Sequence, residues 1–368
     1  MSKPTAISPT QLFAMIILFE FGTALVLPIG MAPGPNVWLS ILIAMPGGIL
    51  LYLLLAYFAK QYPSLNLSGY IQKIVGVYIG WPISLLFILI FIYISSRNLR
   101  EAGDLLIASS YDQTPLAVVH AAMIIPVIYV VYKGVNVLFR VGEIYLIIML
   151  ALGALSFIAT LMSGAIDLKN LLPVMGEGWI PTLKNAYPNI FLFPFAELFC
   201  FATIMPHFKQ KQIAGRTGMI AIITSSVLLS LTHALEVTVV GADVYTRATF
   251  PLFTVISTVK AAEFLQRLDA IVILALIIGV FFKMTMYAYA AAAIAADIFR
   301  FAEQRSLAYP IGAVILLVSI MSAWSYPEHS TEGSRHLLSL HPFFMVILPV
   351  LLLIIHLIRK RFSHNRPA

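Results

Sequence analysis

The stretch "FLFPFAELFCF", Phe191 to Phe201, decides how this chain is read. It is apolar at both ends, yet it carries Pro194 and Glu197 near its centre. Proline removes a backbone donor and clashes with the preceding turn of a helix. A carboxylate at the centre of a bilayer costs about 3 kcal/mol. Backbone freed at membrane depth survives only where protein buries it or where it lines a cavity, and an intramembrane acid points the same way. The stretch therefore predicts a discontinuous membrane helix. One half runs to about Leu192, the centre is unwound, and a second half begins at about Leu198.

The rest of the chain supplies the membrane. Of its 368 residues, 60% are hydrophobic and only 11% are charged, against about 25% charged in a soluble domain. The mean hydropathy is +0.94. So much apolar surface predicts an all-α polytopic protein embedded in the lipid bilayer, with ten spans of about 20 residues. They fall at roughly 11–30, 37–59, 77–100, 115–133, 140–164, 185–207, 215–241, 266–299, 306–325 and 342–359. No linker divides them, so residues 1–368 are expected to form a single transmembrane domain. The N-terminal "MSKPTAISPTQ" has no small-residue cleavage site, so the first apolar run is expected to be kept as a span.

The net charge of +7 reads as topology rather than as nucleic-acid binding, because the basic residues sit in short loops. Both termini are expected in the cytoplasm. That orientation leaves Lys3, Lys60, Lys73, Lys133, Arg140, Lys209, Lys211, Arg216, Arg300, Arg305, Arg359, Lys360, Arg361 and Arg366 inside. It leaves Arg97, Arg100, Lys169, Lys184, Arg247, Lys260, Arg267 and Arg335 outside. Two outer loops, 166–184 and 243–265, are amphipathic enough to lie along the surface as short helices. Arg140 and Glu143, three apart, are expected to pair.

Span one mirrors span six. "LFEFGTALVLPIG", residues 18–30, places Glu20, Gly22 and Thr23 near its middle. Glycine loosens a helix and threonine competes for backbone bonds. Spans one and six thus each combine an interruption with an acid, five spans apart. That is the pattern of a five-plus-five inverted repeat, about 11–164 and 185–359, with binding at the two discontinuous helices.

Other polar residues inside the spans add candidates. Lys283 lies deep in span eight and would face span one in this architecture. Its ammonium either stands in for a bound cation and couples to pH, or forms a static ion pair with Glu20, Glu197 or Glu236. Thr285 and Tyr289 share one face of span eight, Lys283 and Tyr287 another; the first pair is favoured toward a ligand. The alanine run at 290–296 reads as a close-packing face. Glu236 follows His233 by three residues, on one face of span seven. Tyr93, Ser96 and Arg97 either line an entrance or, for Arg97, anchor at the interface. No HExxH, GxxxxGK[ST], GxSxG or CxxC occurs, so no catalytic, cofactor or metal site is expected and the chain does not read as an enzyme.

Four pieces carry a family resemblance: "LSGYIQKIVGVYIGW", "FLFPFAELFCFATIMP", "GADVYTRATFPLF" and the lysine-bearing span eight. Over nearly its whole length the chain resembles the B subunits of GerA-type spore germination receptors, the spore germination permeases. The resemblance implies a branch of the amino acid–polyamine–organocation superfamily with the leucine-transporter type of fold. It implies nutrient sensing in the spore inner membrane, with small amino acids, sugars or nucleosides as ligands. It also implies partners: a larger membrane A subunit and a lipoprotein C subunit. The ligand region then maps to Gly22 and Thr23 of span one and to Phe193, Pro194, Phe195 and Glu197 of span six, with the two phenylalanine rings closing the pocket. A proton-coupled secondary transporter of amino acids or amines is the alternative.

Overall fold

Helices account for the long apolar runs of the described residues, apart from 22–30 in the second half of the first. The computed structural model describes residues 7–30, 34–176, 178–208, 211–258 and 269–364. Among them, nine helical stretches are long and apolar enough to cross a membrane, and Pro9–Phe21 is a shorter apolar helix. With that helix the count matches the ten expected spans.

The helices in chain order are α1 Pro9–Phe21, α2 Val37–Gln61, α3 Leu67–Val75, α4 Val77–Ser109, α5 Leu116–Lys133, α6 Val135–Met162 and α7 Trp179–Lys184. They continue with α8 Lys211–Arg247, α9 Pro251–Thr258, α10 Asp269–Ile298, α11 Ala308–Met321, α12 Tyr326–His341 and α13 Leu348–His364. Local chemistry sets their ends. Ser8 and Gln11 form a capping box at the start of α1, with Pro9 in the first turn, where its missing N–H costs nothing. Asn66 caps α3 through the Gly69 amide. The 33 residues of α4 span about 50 Å, so it overshoots the hydrocarbon core and carries polar residues beyond it.

Apolar residues such as Leu50, Ile125, Ile147 and Leu231 are exposed on the perimeter, as a lipid-facing wall requires. Inside, α10 lies along α4, and α8 packs on α1 and α2. Ala290–Ala293 are buried, as expected for a close-packing face. The basic run Arg359–Phe362 is exposed at the end of α13.

Several boundaries differ from expectation. Span six begins at Trp179, so α7 belongs to the span rather than to the 166–184 loop. The rest of that loop holds a tight turn at Leu168–Leu171. The 243–265 loop does contain a short surface helix, α9; residues 259–265 lie outside the described residues. So do Lys3, Lys209, Lys260, Arg267 and Arg366 of the topology count. Residues 326–341 are not a loop. They form α12, which runs through a wide turn at Pro342–Ile347 into α13. Pro342 reads as a boundary in sequence, yet Ser325 caps α12 through the Glu328 amide. Glu143 does not pair with Arg140 but accepts hydrogen bonds from Thr10 and Gln11 (2.6 and 3.3 Å), tying α6 to the start of α1.

Candidate functional site

Both expected breaks are present. In span one the helix stops at Phe21, and Gly22 has φ +26°, a left-handed backbone that favours glycine. The chain goes on in turns rather than as a second helix: the Leu25 amide donates to Phe21 O (2.9 Å) and the Leu27 amide to Thr23 O (2.9 Å). Gly279 of α10 lies flush against this turn. A Cβ there would sit 2.8 Å from Gly22 O. The Thr23 hydroxyl is buried and has no hydrogen-bond partner among the described residues.

In span six the α-helical turn α7 passes through a wide turn at Asn185–Ile190 and breaks at Phe193–Pro194, a cis peptide bond. The second half resumes as a tighter three-residue-per-turn helix, Phe195–Thr203. It starts at Phe195, three residues before the expected Leu198. Pro194 lacks the donor that a continuous helix needs there.

Glu197 sits in the first turn of this second half and is buried. Its Oε2 meets Lys283 Nζ of α10 at 2.5 Å, and its Oε1 lies 3.3 Å from His341 Nε2 at the end of α12. The Lys283 ammonium also stands 4.3 Å from the centre of the Phe193 ring and 5.6 Å from that of Phe19. Of the three acids open to Lys283, Glu197 is therefore its partner. Glu20 accepts a hydrogen bond from Ser225 of α8, and Glu236 pairs with His233. The lysine stem fills the space beside the first break, since a Cβ on Gly22 would lie 2.5 Å from Lys283 Cδ.

Span eight is turned the other way from the expectation. Lys283 and Tyr287 face the breaks, and Tyr287 packs between Phe19 and Phe91 with ring centres 5.3 and 5.6 Å away. Thr285 spends its hydroxyl on Phe281 O of its own helix (2.6 Å). Tyr289 lies at hydrogen-bond distance from His207 (3.2 Å). The faces were legible; the rotation of α10 was not. Phe195 is also turned away, against Gly48 of α2, so Phe193 alone of the two rings reaches the breaks.

Beside the ion pair lies a cavity of about 200 Å³. Thr23, Phe193, Glu197 and His341 line it together with Arg97, Glu101 and His329. Arg97 is buried and not an interfacial anchor. It donates to His329 O at 2.8 Å and lies 3.9 Å from Glu101. Tyr93 supports it from the side, with its ring centre 5.9 Å from the guanidinium carbon. Glu101, His329 and His341 were not expected. Glu101 follows Arg97 by four residues, a legible pairing signal. His341 had none, being 144 residues from Glu197. Among the described residues no group of three or more His, Cys, Asp or Glu is placed to hold a metal ion.

Known proteins resemble this chain in sequence and in fold. Residues 6–326 match the family described as "Spore germination protein". The chain is 36% identical to spore germination protein KB of Bacillus subtilis (strain 168), covering 96% of this chain and 95% of that one. It is 27% identical to spore germination protein A2 of the same organism, over 63% and 62% of the two chains. Among solved structures it is similar to Mhp1, a nucleobase-cation-symport-1 family transporter (TM-score 0.71, 12% identity, 94% of this chain and 80% of that one). It is also similar to MhsT in complex with L-phenylalanine (TM-score 0.65, 13% identity, 97% and 99%). These two share the leucine-transporter type of fold, which is the fold of this chain.

Proposed function

We infer that this chain, which belongs to the spore germination protein family, is the transporter-like membrane subunit of a germinant receptor. It binds a small nutrient of the amino acid, sugar or nucleoside class where spans one and six are broken. It signals germination through a larger membrane A subunit and a lipoprotein C subunit. Its place is the spore inner membrane, with both termini in the cytoplasm and the two halves, about 11–164 and 185–359, related as inverted repeats.

The observation that carries this reading is the cavity of about 200 Å³ lined by residues at both breaks. It presents a hydroxyl with no hydrogen-bond partner among the described residues, Thr23, and a carboxylate, Glu197, beside an aromatic face, Phe193. A ligand seated there touches two segments with no continuous helix to hold them rigid. It biases the scaffold only if it binds one arrangement better than the other.

The buried Lys283–Glu197 pair supports a second reading, a proton-coupled transporter of amino acids or amines. One experiment separates the two. The purified chain in liposomes is given labelled amino acids, sugars and nucleosides, and binding and uptake are followed in parallel. Binding without uptake, lost in Glu197→Ala and weakened in Thr23→Ala at normal protein levels, is the expected result. Saturable uptake that disappears in Lys283→Ala decides for the transporter. Binding indifferent to both Glu197 and Thr23 removes the site from these breaks.

A further inference from the structure

A second cavity, a crevice of about 370 Å³, lies beside the first break. Phe21 and Leu25 line it, together with residues of α6, α8, α9 and α10. Thr23 and Leu27, which alternate with them along the chain, line the cavity next to the Lys283–Glu197 pair instead. The turn that follows Gly22 therefore separates the two cavities. The bond from the Leu25 amide to Phe21 O (2.9 Å) closes that turn, and the two residues it joins are the two that line the crevice.

The crevice reaches the perimeter. Leu150 and Phe157 of α6 and Leu231 of α8 line it and are exposed. Each lies well inside a membrane span, so its exposed side meets hydrocarbon. Phe21, Met149, Val272 and Ala275 also line the crevice and are buried. The space thus runs inward from the lipid-facing wall. Small residues leave it open: Gly153 lines it, and a Cβ there would meet nothing within 4 Å. Its chemistry is apolar. Among the described residues no charged side chain lines it, and only Ser156 and Thr232 bring a hydroxyl. Thr232 spends its own on Leu228 O (2.9 Å).

These features select the occupant. Ordered water needs two to four polar partners, which this lining does not offer. A transmembrane helix, about 10 Å across, is too thick for the space. Left empty, the lining forfeits its dispersion contacts. An alkyl chain restores them and has no polar group to satisfy, and the surrounding bilayer supplies such chains at the exposed side. We propose that the crevice binds the acyl chain of a bilayer phospholipid, and that this chain supports the turn of span one through Phe21 and Leu25. The chain then packs on the turn from the crevice while Thr23 is left to the other cavity. This holds whichever nutrient, if any, the other cavity takes.

The test is photolabelling of the full chain in phosphatidylglycerol–phosphatidylethanolamine liposomes. A small fraction of the phosphatidylglycerol carries a diazirine midway along one acyl chain, and adducts are located by mass spectrometry of the digested protein. Adducts are expected at the buried residues Phe21, Leu25 and Val272 as well as at exposed perimeter residues such as Ile125. Gly153→Phe and Ala154→Phe place a ring in the crevice. Both variants should lose the adducts at Phe21 and Leu25 and keep the one at Ile125, which also reports that the variant is folded in the bilayer. Adducts confined to the perimeter in the native chain overturn the proposal. So do adducts at Phe21 and Leu25 that persist in both variants. Labelling of these residues by a free diazirine fatty acid but not by the phospholipid assigns the crevice to a different occupant and also overturns it.

Discussion

Span one breaks at a glycine and span six at a proline, and the two breaks are held in different ways. At Gly22 the backbone itself turns, and neighbours come in to hold it: Gly279 against its peptide and His233 on the carbonyl of Ala24. Its own acid, Glu20, points aside to Ser225. At Pro194 the helix resumes within a residue, and what fixes the break is charge. Glu197 points inward and takes Lys283 and His341. An acid beside a break is therefore not in itself a site residue. What it does depends on what the next helix offers.

The largest expected effect comes from breaking the charged side. Lys283→Met leaves Glu197 buried with only His341. Removing one partner of a buried pair costs about 3–5 kcal/mol, and thermal unfolding of the purified protein should show it. Adding Glu197→Gln should recover part of the loss, because the uncompensated charge is gone. A double variant no better than the single one means that the pair does not hold this break.

A smaller effect tests the glycine side. Gly22→Ala forces a left-handed backbone on a residue with a Cβ, a cost of about 1–2 kcal/mol. The added carbon also meets Lys283 Cδ. The two breaks touch at this point, so Gly22→Ala should cost less in the Lys283→Met background than in the native chain. Additive effects in that cycle mean the two breaks are energetically separate.

The smallest effect sharpens the rotation of α10. Among the described residues the Thr285 hydroxyl bonds its own helix at Phe281 O, so Thr285→Val should leave stability within about 0.5 kcal/mol and ligand binding unchanged. Loss of binding in that variant means that α10 presents Thr285 to the ligand in another arrangement of the bundle.

Much of this was legible from residue types. A proline and an acid inside an apolar run announce a broken helix, because hydrocarbon satisfies neither a free carbonyl nor a carboxylate. The missed features share one cause. Helix α12 is polar enough to read as a loop, yet it brings His329 and His341 to the cavity. Phe195 lies two residues from both Phe193 and Glu197, which line the cavity, but its own ring points elsewhere and packs on Gly48.

By itself the sequence determined that the chain lives in a membrane, where its helices run, and that spans one and six are broken. Those follow from hydropathy, length and backbone chemistry, which act over a few residues. Only the tertiary structure decided that Lys283 belongs to Glu197, that Ser225 takes Glu20 from 205 residues away, and that His233 holds the turn after Gly22. The physical reason is rotation. A helical period fixes which side chains share a face. Which neighbour that face meets is set by the packing of all the other helices together.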